Sequence, residues 1–161
     1  MAKKKEEKTN VMRLLEQNGI AYTAHEYPHG DEAPDGVTVA RILGQDPETV
    51  FKTLVTRGTS GAYYVFDIPV AYTLDLKKAA KAVGEKSVAM ILSRELLPLT
   101  GYIHGGCSPV GMKKSFPTFI DETAELFDSI CVSAGRIGAQ VELSPQDLAR
   151  ITGAAFAELT D

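Results

Sequence analysis

Cysteine is scarce in this chain. Cys107 and Cys131 are its only thiols, too few for a disulfide framework and too few for a cysteine-built zinc cage. A protein without such staples is expected in a reducing cytoplasm. Long apolar runs are missing too, and nothing approaches the roughly 18 residues of a membrane-spanning helix. The opening Met1-Ala2-Lys3-Lys4-Lys5-Glu6-Glu7-Lys8 lacks the apolar segment of a secretory signal. It reads as a flexible charged tail over residues 1–8. There is no basic excess either: the formal charge is −4 and the isoelectric point near 5.4. That balance excludes sequence-blind coating of DNA or RNA, while a local basic patch that grips one end of an RNA stays compatible with it.

What is present is ordinary globular composition, 44% hydrophobic and 24% charged over 161 residues. A chain of this length fits one domain, expected over residues 9–161, and buries roughly two-thirds of its unfolded surface. Val11, Met12, Leu14 and Leu15 form a stripe that predicts a helix from about Thr9 to Asn18, stopped at Asn18-Gly19. A strand is expected over Ile20 to Tyr27, then a polar loop over residues 29–36 and a short helix from Thr38 to Leu43. Val50 to Val55 and Tyr63 to Ile68 read as a hairpin turned by Gly58-Thr59-Ser60-Gly61. Asp75 caps a predicted helix from Leu76 to Val83. Ser87 to Ile91 reads as a strand, and Ser93 as the cap of a short helix that Pro98 disrupts. Thr118 to Ile120, Ile130 to Ser133 and Gln140 to Leu143 are further strand candidates, and Ser144-Pro145 opens a last helix. The irregular interleaving predicts an α/β (α+β) fold, a mixed and partly barrel-like sheet surrounded by helices.

Two features carry chemistry. In Gly105-Gly106-Cys107-Ser108-Pro109-Val110-Gly111, the glycines let backbone approach a ligand and present successive amides. Ser108 adds a hydroxyl, and Pro109 fixes the path. Such a loop suits an ester carbonyl oxygen, as an oxyanion hole does; it equally suits a tight turn between strands. The second feature is Lys52. At a period of two it shares a face with Val50 and Leu54, while Phe51, Thr53 and Val55 share the other, so both faces are largely apolar. A lysine there either snorkels to water as an edge residue or meets an anionic partner.

The segments Val50-Phe51-Lys52-Thr53-Leu54-Val55, Gly101-Tyr102, Gly105 through Gly111 and Pro117-Thr118-Phe119-Ile120-Asp121 together resemble the YbaK/EbsC family. That family is similar to the editing domain inserted in bacterial prolyl-tRNA synthetases. The resemblance extends to Leu74-Asp75-Leu76-Lys77-Lys78-Ala79 and to the Val132-Ser133-x-Gly135 turn, and spans nearly the whole chain after residue 10. It implies deacylation of misacylated tRNA, most typically Cys-tRNA(Pro), formed when prolyl-tRNA synthetase mistakes cysteine for proline. It implies that Lys52 is the family's essential strand lysine, that Gly105 through Pro109 lies beside the aminoacyl moiety, and that Tyr27 is a pocket tyrosine. The chain departs from the family at Cys107, often aliphatic in relatives, and at Gln140, where some members carry an acid.

In the mechanism these parts suggest, loop amides polarise the carbonyl and Lys52 fixes the terminal ribose-phosphate. Attack is left to the substrate's own thiol, the ribose 2′-hydroxyl or water. Cys107 invites a nucleophile reading, yet no Cys–His or Ser–His pair can be placed. Pro28 prevents His25 and His29 from sharing a helical face, and His104 has no visible carboxylate partner, so neither a metal nor a cofactor is expected. Lys77, Lys78 and Lys81 form a helical stripe with Lys86 nearby, and Lys113 and Lys114 follow the glycine loop. These lysines read as a solvated face or as contacts to the tRNA acceptor end. A transient complex with prolyl-tRNA synthetase is a compatible partner, and membrane and DNA are not. Two other readings remain: a deacylase for another small residue such as Ala-tRNA(Pro), and a non-catalytic RNA-binding or regulatory module on the same fold.

Overall fold

The computed structural model describes residues 8–161, so nearly all of the charged tail expected over residues 1–8 lies outside the described residues. Helix α1, Asn10–Gln17, begins at Thr9, whose Oγ1 accepts the Met12 amide hydrogen at 3.3 Å. It buries Val11, Met12 and Leu15 against Ile130, Val132, Val141 and Leu148. Strand β1 is Thr23–Glu26, helix α2 Gly36–Leu43, and strands β2, Phe51–Gly58, and β3, Tyr63–Pro69, form the expected hairpin. Helix α3, Leu76–Val83, is capped by Asp75, whose Oδ1 accepts the Lys77 and Lys78 amides, and ends at left-handed Gly84.

Strand β4, Val88–Met90, leads to helix α4, Ser93–Thr100, where two expectations are corrected. The cap position is Leu92 rather than Ser93, because the Glu95 carboxylate accepts the Leu92 amide hydrogen at 3.1 Å. Pro98 sits inside the helix without disrupting it. Its missing donor would have reached only the carbonyl of exposed Arg94, and Gly101 N still donates to Leu97 O at 2.9 Å to close the last turn. The remaining elements are β5, Thr118–Asp121, a 3-10 turn over Glu122–Leu126, β6, Ile130–Ser133, β7, Ala139–Leu143, α5, Pro145–Thr152, and β8, Ala155–Ala157.

The strands make a mixed five-stranded sheet in the order β4-β2-β3-β5-β8 and an antiparallel three-stranded sheet in the order β1-β7-β6. Strands β3 and β5, and β5 and β8, run parallel. The α/β class is therefore as expected. Among the described residues the strands do not close into a barrel. They form two sheets joined at one isolated bridge, Val50 to Cys131. There Cys131 N donates to Thr49 O at 2.9 Å, and Val70 N to Val50 O at 2.8 Å. Apolar side chains alternate in the small sheet. Val132, Ala139, Val141 and Leu143 enter the core, which leaves Cys131, Ser133, Gln140 and Glu142 on the opposite face together with His25.

Candidate active site

A cleft of about 630 Å³ opens where the two sheets meet. β2 supplies Phe51, Lys52, Thr53 and Leu54, the entry to α2 supplies residues 33–39, and the small sheet supplies Val132, Ser133, Ala139 and Gln140. The glycine loop closes it with Gly105 and Cys107. Lys52 and the glycine loop, remote in sequence, thus face one space, and Tyr27 lines it too.

Lys52 Nζ is 3.5 Å from the carbonyl of Val70, itself a cleft residue. Among the described residues no carboxylate lies within ion-pair distance of it. Partial burial lowers its pKa from the ordinary lysine value, because a cation loses hydration there without gaining a countercharge. Lys52 meets no acid, and it borders a cleft rather than open solvent.

The glycine loop divides. Gly105 has φ +84°, and a methyl group added to it would stand 2.2 Å from Ala33 Cβ. Only glycine allows both that conformation and that contact. Gly106 N is spent on Ile103 O at 3.0 Å. Among the described residues the amides of Gly105, Cys107 and Ser108 make no hydrogen bond, which leaves donors in the loop for an incoming oxygen. The Ser108 side chain, by contrast, is fully buried and its Oγ accepts the Val110 amide hydrogen at 3.3 Å. Pro109 and Gly111 turn away to a second cavity of about 280 Å³ beside α1, shared with Lys114. The structure therefore gathers Tyr27, Lys52, Gly105 and Cys107, and does not bring Gly106, Ser108, Pro109 or Gly111 to the cleft wall.

Burial pushes the Cys107 thiol up to about 12, with Asp67 adding to the rise. That carboxyl is the residue sequence reasoning missed. Asp67 is fully buried on β3, accepts a hydrogen bond from Thr53 Oγ1 at 2.5 Å, and leaves Oδ2 without a partner among the described residues. Burial raises it to about 7, and the Thr53 bond draws it partly back. A signal existed: one acid inside the apolar run Val65-Phe66-Asp67-Ile68.

None of the lysines considered for RNA contact lines the cleft. Lys77, Lys113 and Lys114 are exposed. Lys78 is engaged, its Nζ donating to Glu158 Oε1 at 2.7 Å and to Thr160 O at 2.6 Å.

Residues 31–151 match the family model described as the aminoacyl-tRNA editing domain. The chain belongs to that family. The editing domain covers the cleft residues Lys52, Gly105 and Cys107, and Tyr27 lies just ahead of it. A curated relative from Enterococcus faecalis, named "Putative Cys-tRNA(Pro)/Cys-tRNA(Cys) deacylase EbsC", is 46% identical over 99% of this chain and 98% of its own length, as the YbaK/EbsC motifs implied. A crystal structure described as "a putative trans-editing enzyme for prolyl tRNA synthetase" has 27% identity and a TM-score of 0.82, covering 95% of this chain and 98% of the other. The hypothetical protein APE2540, 24% identical over 94% of this chain and 99% of its own, shares the editing-domain fold with a TM-score of 0.84.

Proposed function

We propose that residues 9–161 form a single free-standing editing deacylase that removes cysteine from misacylated Cys-tRNA(Pro). The observation that carries this reading is the meeting of Lys52 with Gly105 and Cys107 on one cleft. Membership of the editing family and the name of the 46% identical relative supply the substrate class.

The ester that links an amino acid to the terminal ribose is already activated, so positioning and charge stabilisation suffice. Lys52, unpaired among the described residues, holds the phosphate or ribose of the terminal nucleotide. The free amides of Gly105 and Cys107 donate to the carbonyl oxygen as it gains charge. The cleft's own thiol is a poor nucleophile because burial holds Cys107 protonated. The attacking group then comes from outside the protein. With cysteine as the aminoacyl group, its thiol sulfur bonds to the carbonyl carbon and the ester C–O bond breaks. The thiol proton passes to the ribose oxygen, releasing intact tRNA and a cysteine thiolactone. The ribose 2′-hydroxyl and water are the competing nucleophiles.

Lys52 is the only Lys or Arg that lines the cleft among the described residues, and the chain as a whole is acidic. We therefore assign to it the reading of the aminoacyl end alone, in the cytoplasm, with proline-tRNA selectivity supplied by transient association with prolyl-tRNA synthetase. Incubating the purified protein with a panel of labelled aminoacyl-tRNAs tests both parts. Release of cysteine from Cys-tRNA(Pro) and equally from Cys-tRNA(Cys), with selectivity for the former restored by added synthetase, is expected. Preferential release of alanine from Ala-tRNA(Pro) would replace the substrate, and no release from any tRNA would favour the non-catalytic module.

A further inference from the structure

The polar face of the small sheet continues past the cleft into a second group of side chains. His25 on β1, Glu142 on β7 and Cys131 on β6 each offer one donor atom, and these atoms lie within 4.8 Å of one another. Glu142 occupies the middle strand, directly opposite Cys131 in the ladder, while His25 reaches across from the other side to place Nε2 2.8 Å from Glu142 Oε1. We propose that His25, Cys131 and Glu142 form a binding site for a thiophilic divalent metal ion, with Zn²⁺ the ion their nitrogen, sulfur and oxygen donors fit.

The geometry requires little movement. Donors about 2.0–2.3 Å from a tetrahedral zinc ion stand roughly 3.3–3.8 Å apart. The His25–Glu142 pair opens by about half an ångström, and no other pair has to close by more than about one ångström to reach that range. Side-chain rotation supplies this, since His25 and Glu142 are partly exposed, with side-chain accessibilities of 28% and 35%. Their strands stay in register as a scaffold.

An outer layer is already in place. Ser129 Oγ donates to Glu142 Oε2 at 2.5 Å, and Gln45 Nε2 donates to Cys131 Sγ at 3.6 Å. Donors of this kind orient a carboxylate and stabilise a metal-bound thiolate. On binding, the metal–sulfur bond forms as the Cys131 S–H bond breaks, and one proton leaves to solvent. Three protein donors leave one position of a tetrahedral ion open, as in labile rather than closed structural sites.

The site borders the established cleft. Gln45 links it to Gln140, a cleft residue, through Nε2 to Oε1 at 2.6 Å, and Cys131 is the residue that bridges the two sheets. Sequence spacing could not reveal the group, because its members are brought together by strand pairing between positions 25, 131 and 142.

The test uses full-length protein stripped of metal with a chelator, titrated with Zn²⁺ by calorimetry and with Co²⁺ by absorbance. One Zn²⁺ per chain is expected, and Co²⁺ should give a thiolate-to-metal charge-transfer band. Cys131→Ser should abolish that band, and His25→Ala, which leaves the buried core untouched, should weaken Zn²⁺ affinity at least about tenfold. Absence of stoichiometric binding, a band that survives Cys131→Ser, or unchanged affinity in His25→Ala overturns the site.

Discussion

Thr53 and Asp67 face each other across the β2–β3 ladder, and the threonine hydroxyl donates to a carboxyl that is fully buried. The pair places a titratable group directly behind a cleft-lining side chain. Burial lifts Asp67 from 3.8 to about 7, so between those values the folded chain holds a proton that the unfolded chain has released. Stability supported by this group is therefore present at acid pH and lost as pH rises through that window. The full effect is on the order of 4 kcal/mol. Urea unfolding of the wild type at pH 5 and pH 8 should show the fall, and Asp67→Asn should flatten it, making the variant the more stable protein at pH 8. A wild type equally stable at both values removes this account of Asp67.

Lys52→Ala is expected to reduce deacylation by roughly 100-fold or more, the scale of losing one charge-stabilising contact in a reaction centre. Its folding should be little changed, because the ammonium has no ion-pair partner among the described residues. Single-turnover rates alongside a thermal melt separate the two effects. A variant with wild-type rates rejects the assigned role.

Cys107→Ala should retain deacylation within about threefold of the wild type, since a nucleophile held protonated contributes little. The same substitution should cost about 1 kcal/mol of stability through lost packing against Val55 and Val65. Complete loss of turnover in a folded variant would return Cys107 to the chemistry.

Gly105→Ala introduces a side chain at φ +84° against Ala33. Destabilisation of about 1–3 kcal/mol is expected, together with lost activity as the loop and the segment at Ala33 separate. A folded, fully active variant by circular dichroism and deacylation assay would show that the loop tolerates an alternative path.

The sequence was most readable where local chemistry decides the outcome. Asp75 and Ser144 cap the helices they were expected to cap, because each side-chain oxygen accepts an amide hydrogen of the first turn. Lys52 stood out as a charge in an apolar strand, and its position on the cleft follows from the same anomaly. Strand β8 escaped notice because Ala155-Phe156-Ala157 has no β-branched residue, and it exists by parallel pairing with β5 after α5 returns the chain. The glycine loop was legible as a unit but not in its division. Whether Ser108 faces a ligand or the interior depends on what packs around it, and the hydroxyl is consumed within the loop itself. Asp67 carried the same signal as Lys52, yet its consequence required knowing that Thr53 lies across from it.

The bridge between Val50 and Cys131 joins two halves that otherwise keep separate ladders. A molecule that touches Lys52 on one half and Gln140 on the other splints that joint, so its grip depends on the gap between the sheets as well as on the groups it meets. Val50 stands at the joint and also lines the cleft, so it helps set the bore. Exchanging Val50 for a bulkier or slimmer side chain is a way to retune which aminoacyl group is admitted while the reacting groups stay as they are.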